Sequence, residues 1–342
     1  MEYKANILLI YTGGTIGMIK DFETGALKAF DFDELLHNIP ELKLLEHNIE
    51  TLSFGEPIDS SNMQPTYYVQ LAEVIAENYK KYDGFVILHG SDTMAYSASV
   101  MSFLLENLQK PVIYTGSQLP IGDLRTDAKE NLITSIQLAG LQENKKPVIT
   151  EVGLYFEYKL YRANRTVKVN AEHFEAFTSY NYPPLAESGV HLDVNKNYLY
   201  KISAKKELYV HKELETGVIV LKLFPGITED AIAYMLNFQN LKGVILETYG
   251  SGNAPNESWF IKIISAAIQR GIYIVNVTQC LGGSVIMGHY ETSTALKKIG
   301  VISGKDITTE AAVAKMMYLL PKNLGKNVFK TIFETSLRGE ML

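Results

Sequence analysis

Short apolar runs recur along this chain, separated by stretches in which apolar positions return every three or four residues. Ile7 to Ile10, residues 49–54, Gly84 to Leu88, Val112 to Thr115 and Val148 to Phe156 predict buried strands. Between them, Tyr68, Leu71, Ala72, Ile75 and Tyr79 define the apolar face of a helix opened by Pro65, whose missing N–H suits a first turn. Further helices are predicted from Ala95 to Asn107 and from Leu124 to Leu141, the latter with Leu132, Ile136 and Leu138 inward. Strands alternating with helices predict a mostly parallel sheet.

The pattern fades from Ser179 to Leu214, where charges and the pair Pro183-Pro184 replace periodicity. It resumes as strand Gly217 to Leu223, helix Glu229 to Asn237, strand Gly243 to Glu247, helix Glu257 to Arg270 and strand Ile272 to Val277. Two closing helices follow, near Thr309 to Leu320 and Asn327 to Thr335. The expected fold class is α/β: a larger N-terminal domain, 1–190, with a mostly parallel sheet, a linker, 191–214, and a smaller Rossmann-like C-terminal domain, 215–342. Two domains also suit 342 residues, since single cores stop growing near roughly 250–300.

Composition narrows the function. Apolar residues make up 46%, enough for substantial cores. A net charge of −6 gives no support to nucleic-acid binding. Cys280 is the single cysteine, which excludes an intramolecular disulfide and fits a reducing compartment. The N-terminal apolar run is too short for a signal segment or a membrane span. The expectation is a cytoplasmic protein with no membrane and no nucleic-acid partner.

The candidate chemistry lies at strand ends. Tyr11-Thr12-Gly13-Gly14-Thr15-Ile16-Gly17 follows the first strand, and its paired glycines allow a sharp turn that presents a hydroxyl beside bare N–H groups. Solvated threonines in an ordinary turn are the other reading. His89-Gly90-Ser91-Asp92-Thr93-Met94 runs from a strand into a helix, so Ser91 or Asp92 caps that helix, binds an anionic ligand, or does both. Asp59, Ser60 and Ser61 precede the Pro65 helix, where turn and capping roles compete with binding. Val112 to Thr115 leads into Gly116-Ser117-Gln118. The segment Met18 to Phe32 is a long connection or a lid. There is no P-loop, no G-x-G-x-x-G, no H-E-x-x-H and no G-x-S-x-G, and the seven histidines have no metal-ligand spacing. No cofactor is expected. Hydroxyls, carboxylates and a possible lysine base remain.

Thr12-Gly13-Gly14-Thr15-Ile16-Gly17 and His89-Gly90-Ser91-Asp92-Thr93-Met94 together resemble the two signature segments of the L-asparaginase family. Asp59-Ser60-Ser61, Arg165-Thr166-Val167-Lys168, Gly252-Asn253-Ala254-Pro255 and Thr278-Gln279-Cys280 resemble its bacterial type I, cytoplasmic branch. The resemblance implies hydrolysis of L-asparagine, a small amino-acid substrate, through a threonine acyl-enzyme. It implies Thr15 as nucleophile and Ser91, Asp92 and Lys168 as a catalytic hydroxyl–carboxylate–lysine set. Asp59, Ser60, Ser61, Ser91 and Asp92 would hold the substrate's α-carboxylate and α-ammonium. It also implies a homotetramer, a dimer of dimers, with Asn253 completing the neighbour's site.

Three positions depart from the family pattern. Serine stands at Ser91 where threonine is usual, keeping the hydroxyl but losing the methyl that restricts its rotamers. The lid segment reads Gly25-Ala26-Leu27, and no tyrosine lies between Tyr11 and Tyr67. Glu247 stands where some relatives have an arginine tied to a regulatory site, which leads us to expect hyperbolic kinetics. A broader glutaminase-asparaginase, a tRNA-linked amide substrate and a catalytically silent amino-acid-binding protein are the alternatives.

Overall fold

The computed structural model describes residues 4–20, 27–29, 39–201, 206–288 and 291–342. Most of the candidate lid lies outside these residues. The chain forms two compact α/β units, Met1–Lys212 and Glu213–Leu342.

The first unit is built on strands β1 (Asn6–Tyr11), β2 (Asn48–Ser53), β3 (Gly84–Leu88), β4 (Val112–Thr115), β5 (Val152–Phe156) and β6 (Lys159–Arg162). Helices α1 (Pro65–Asn78), α2 (Met94–Leu104) and α3 (Ala128–Gly140) connect them. Two short strands, β7 (Val167–Lys168) and β8 (Phe177–Thr178), pair as an antiparallel arm. Strands β9 (Ala186–Ser188) and β10 (Leu192–Val194) complete the main sheet, whose order is β10-β9-β6-β5-β4-β3-β1-β2. The five strands from β5 to β2 are parallel, and the other three are added antiparallel. Every residue of β3, β4 and β5 is buried, as continuous apolar runs in a covered parallel sheet require.

Register determines where the chemistry falls. Tyr11 pairs with both Ser53 and Leu88, and Leu88 pairs with Thr115. Four strands therefore end level, and the loops after β1, β2, β3 and β4 emerge at one edge.

Within the stretch expected as a linker, 191–214, residues 192–200 and 206–212 are instead tied into the first unit. Strand β10 pairs with β9, and Tyr209–Val210 pairs with Leu105–Glu106. The buried Glu151 carboxylate accepts from Arg162 Nε (2.5 Å) and from the Tyr200 N–H (2.6 Å), while Arg162 Nη2 donates to the Tyr198 carbonyl (2.9 Å). Strands of two or three residues carry no readable alternation, and partners supplied by distant strands are invisible locally.

The second unit is a four-stranded parallel sheet, in order β11 (Val218–Lys222), β12 (Gly243–Thr248), β13 (Tyr273–Thr278) and β14 (Ile302–Ser303). Helices α4 (Glu229–Leu236), α5 (Ser258–Gln269) and α6 (Glu291–Ile299) connect successive strands, and α7 (Thr309–Leu319) and α8 (Lys326–Phe333) follow. Phe260, Ile264 and Ala267 form the buried stripe of α5 at helical spacing. Among the described residues, no helix is long and apolar enough to cross a membrane.

Candidate active site

The loop after β1 is pinned before it turns. Thr12 donates both its N–H (3.0 Å) and its hydroxyl (2.8 Å) to the Leu88 carbonyl, and its own carbonyl accepts from Ile58 N–H (2.8 Å). Gly13 and Gly14 then take φ of 136° and 90°, backbone that side chains rarely adopt. A Cβ at Gly13 would lie 2.1 Å from the Ile58 carbonyl, and one at Gly14 would lie 2.4 Å from the Gly90 nitrogen. One at Gly90 would lie 2.5 Å from Ser60 Oγ. The glycines thus let three loops meet at backbone distance. Thr15 follows as the first residue of a single 3-10 turn, Thr15–Gly17, and is half-buried.

Ser60 sits in the 3-10 turn Ser60–Asn62, buried, with its carbonyl accepting from Thr93 Oγ1 (2.8 Å). Asp59 and Ser61 are exposed, and Asp59 Oδ1 accepts from the Ser61 N–H (2.9 Å). The capping role is therefore real at Asp59 and leaves its second carboxylate oxygen for a ligand.

Neither Ser91 nor Asp92 caps α2. Thr93 holds the N-cap position and makes no side-chain cap bond. The two side chains turn instead to Lys168, whose Nζ lies 2.9 Å from Ser91 Oγ and 2.6 Å from Asp92 Oδ1. Lys168 is only 17% exposed and Asp92 66%, so the ammonium is shielded while the carboxylate faces solvent. The β7–β8 arm, which carries Lys168, folds it onto the hydroxyl. His89, beneath this loop, is fully buried. Its Nδ1 lies 2.7 Å from the Gly90 carbonyl, and burial pushes its imidazole down to about 4, so it is neutral near pH 7.

Gln118 is a site residue to which the sequence assigned no role. Its Oε1 accepts from Ser91 Oγ (3.2 Å), and its Nε2 donates to the His173 carbonyl (3.0 Å). The signal was its place just after β4, but glutamine has no distinctive spacing. Among the described residues, no three histidine, cysteine or acidic side chains gather as metal ligands. A cleft of about 700 Å³ opens beside the Asp59 loop, lined by Pro57, Ile58, Asp59, Tyr67, Gln70 and Glu73. Thr15, Ser91 and Lys168 are not in its wall, so it is not where these three would act.

Asn253 belongs to the second unit, in a turn closed by the Tyr249 N–H to Asn253 carbonyl bond (2.9 Å) and its reciprocal (2.8 Å). At the end of β12, Glu247 Oε1 accepts from Thr309 Oγ1 (2.6 Å), and Oε2 lies 3.6 Å from Lys222 Nζ. Cys280 is exposed and free.

A hydroxyl in a glycine turn, a serine–lysine–carboxylate group and an Asp-Ser-Ser loop on one sheet edge suit amide hydrolysis. Residues 6–200 match the family described as "Asparaginase, N-terminal", and residues 217–333 match the "Glutaminase/Asparaginase C-terminal domain". The chain belongs to the asparaginase family. Over 339 residues it is 42% identical to L-asparaginase 1 of Escherichia coli (strain K12), covering 99% of this chain and 98% of that protein. It is 41% identical to the 60 kDa lysophospholipase of Mus musculus, covering 100% of this chain and 63% of that longer protein. Its fold matches the crystal structure of L-asparaginase I from Vibrio cholerae at a TM-score of 0.90 and 42% identity, over 99% of this chain and 100% of that one. The asparaginase family thus accounts for both α/β units.

Proposed function

We propose that this chain is an amidohydrolase converting L-asparagine to L-aspartate and ammonia. The observation that carries the reading is the Lys168 bridge between Ser91 and Asp92 on the edge that also presents Thr15. The Thr15 hydroxyl attacks the side-chain amide carbon, the C–N bond breaks as ammonia leaves, and water hydrolyses the resulting ester. The proton lost by Thr15 balances the one gained by the leaving nitrogen, and the Ser91–Lys168–Asp92 group carries it between them. Asp59 and Asp92 offer carboxylates to the α-ammonium, while the turn at Ser60 and Ser61 receives the α-carboxylate. These polar contacts favour an amino acid over an acyl chain.

In this reading the protein is cytoplasmic and works as a homotetramer, a dimer of dimers, with Asn253 entering the neighbour's site. Both oxygens of Glu247 already have partners in Thr309 and Lys222, so a second amino-acid carboxylate meets repulsion there. One assay tests the reading: ammonia release from asparagine and from glutamine over a range of concentrations. Asparagine turnover with a Hill coefficient near one is expected. Binding without release would make the chain a silent relative, equal turnover of glutamine would broaden the substrate class, and sigmoidal rates would restore a regulatory site.

A further inference from the structure

Serine carries one proton on a hydroxyl that any of three χ1 rotamers can aim elsewhere. At Ser91 that freedom is removed by two neighbours with opposite demands. Lys168 can only donate, so at 2.9 Å it takes a lone pair of Oγ. The proton is then directed to Gln118 Oε1, at 3.2 Å. Either end of the Gln118 amide could in principle face Ser91. The His173 carbonyl decides, because it can only accept, so the Gln118 Nε2 at 3.0 Å must face it and Oε1 must face Ser91.

Both ends of this arrangement are separately held. The Asn170 side chain accepts from the Glu172 and His173 N–H groups, each at 2.8 Å, and so fixes the turn that carries the His173 carbonyl. The backbone of Gln118 is clamped by Asp127, which is almost fully buried. Its carboxylate accepts from the Gln118 N–H (2.9 Å) and the Leu119 N–H (3.1 Å). Asn131 donates to Asp127 (3.2 Å) and to the Gly116 carbonyl (3.0 Å), tying the same loop to α3.

We propose that Gln118 is a positioning residue that sets the direction of the Ser91 hydroxyl, holding its proton away from Lys168 in the resting site. The Lys168 ammonium is then kept as the donor toward Ser91, and the hydroxyl must swing from Gln118 to relay a proton. Its kinetic consequence rests on the asparagine-hydrolysis reading; its structural consequence does not.

The test compares the unmodified protein with Gln118→Met, which keeps the length and removes both polar contacts. Crystal structures of the two should show one Ser91 rotamer in the first and more than one in the second. On asparagine, kcat should fall about tenfold with KM within about twofold, the size expected for one ordinary hydrogen bond. Adding Ser91→Thr to Gln118→Met should recover part of that loss, because a β-branched side chain restricts χ1 by itself. A single unchanged Ser91 rotamer in Gln118→Met, or an unchanged kcat, overturns the proposal. If the unmodified protein releases no ammonia, the hydrolysis reading fails, and the rotamer comparison still decides this one.

Discussion

The strand ends of the two units carry similar polar residues and use them differently. In the first, Ser91, Asp92, Gln118 and Lys168 bond side chain to side chain. In the second, Thr278 Oγ1 donates to the Gly250 carbonyl (2.6 Å), and Gln279 Nε2 to the carbonyls of Leu223 (2.6 Å) and Glu247 (2.9 Å). Asn276 Nδ2 donates to the Gly252 carbonyl (3.2 Å) while its Oδ1 accepts from Thr248 Oγ1 (2.6 Å). Most of these bonds satisfy loop carbonyls, and the Thr248–Asn276 pair lies buried within the strands, away from solvent. A parallel sheet brings loops together at one edge, but chemistry needs polar groups that the backbone does not claim. Two lysines repeat the contrast. Lys315 is fully buried and donates to the Phe333 and Thr335 carbonyls, both at 2.7 Å, and to Glu340 at 2.5 Å, using its three protons to fasten the C-terminal segment. Lys168 meets a hydroxyl and a carboxylate beside the glycine turn.

The largest expected effect is at the reacting edge. Thr15→Ala should keep the fold and asparagine binding and lower kcat by about 10⁴-fold, measured as ammonia release. Near-normal turnover would remove the acyl-enzyme and, with it, the contrast between the edges.

The lysines separate activity from stability. Lys168→Met should cost about 10²–10³-fold in kcat and at most about 1 kcal/mol of stability. Lys315→Met should leave kcat of the folded protein unchanged and destabilise it by about 3–5 kcal/mol, because the buried Glu340 loses its cation. Denaturant unfolding and steady-state kinetics on both variants check the pair, and the reverse pattern would break the comparison.

Asn253 is the one second-unit residue given a substrate role. If it acts in the neighbour's site, mixing Thr15→Ala with Asn253→Ala subunits should restore up to about a quarter of the sites, on random pairing between the two chains of a dimer. No recovery after demonstrated subunit exchange would assign each site to a single chain.

The smallest effect lies in the first turn of α7, near Glu247 of β12. Burial pushes the Glu310 carboxyl up to about 7, helped by the nearby charge of Glu247. Between about pH 4.5 and 7 the unfolded chain releases a proton that the folded chain retains, so stability falls as pH rises through that window. Glu310→Gln should flatten that fall, by at most about 3 kcal/mol between pH 4.5 and 8, in thermal or urea unfolding followed across pH. An unchanged slope would show that Glu310 titrates as an exposed acid.

Much of this molecule was legible in one dimension. Continuous apolar runs gave the strands, and 3.6-residue periods with Pro65 gave the first long helix, because burial on both faces of a sheet and on one face of a helix writes itself into spacing. The paired glycines at 13 and 14 marked a sharp turn, while the collision that a Cβ at 13, 14 or 90 would make with a neighbouring loop appeared only in the fold. Local spacing left other things open. Residues 192–194 and 209–210 joined the first unit through pairing with other strands. The resemblance named Lys168, but local spacing did not show that the β7–β8 arm brings it to Ser91, 77 positions away, and Gln118 meets Ser91 only because register aligns β3 with β4. Residue type and period are local properties. Which polar group meets another side chain, and which is spent on a carbonyl, is decided by register and loop packing, and those exist only once the chain has folded.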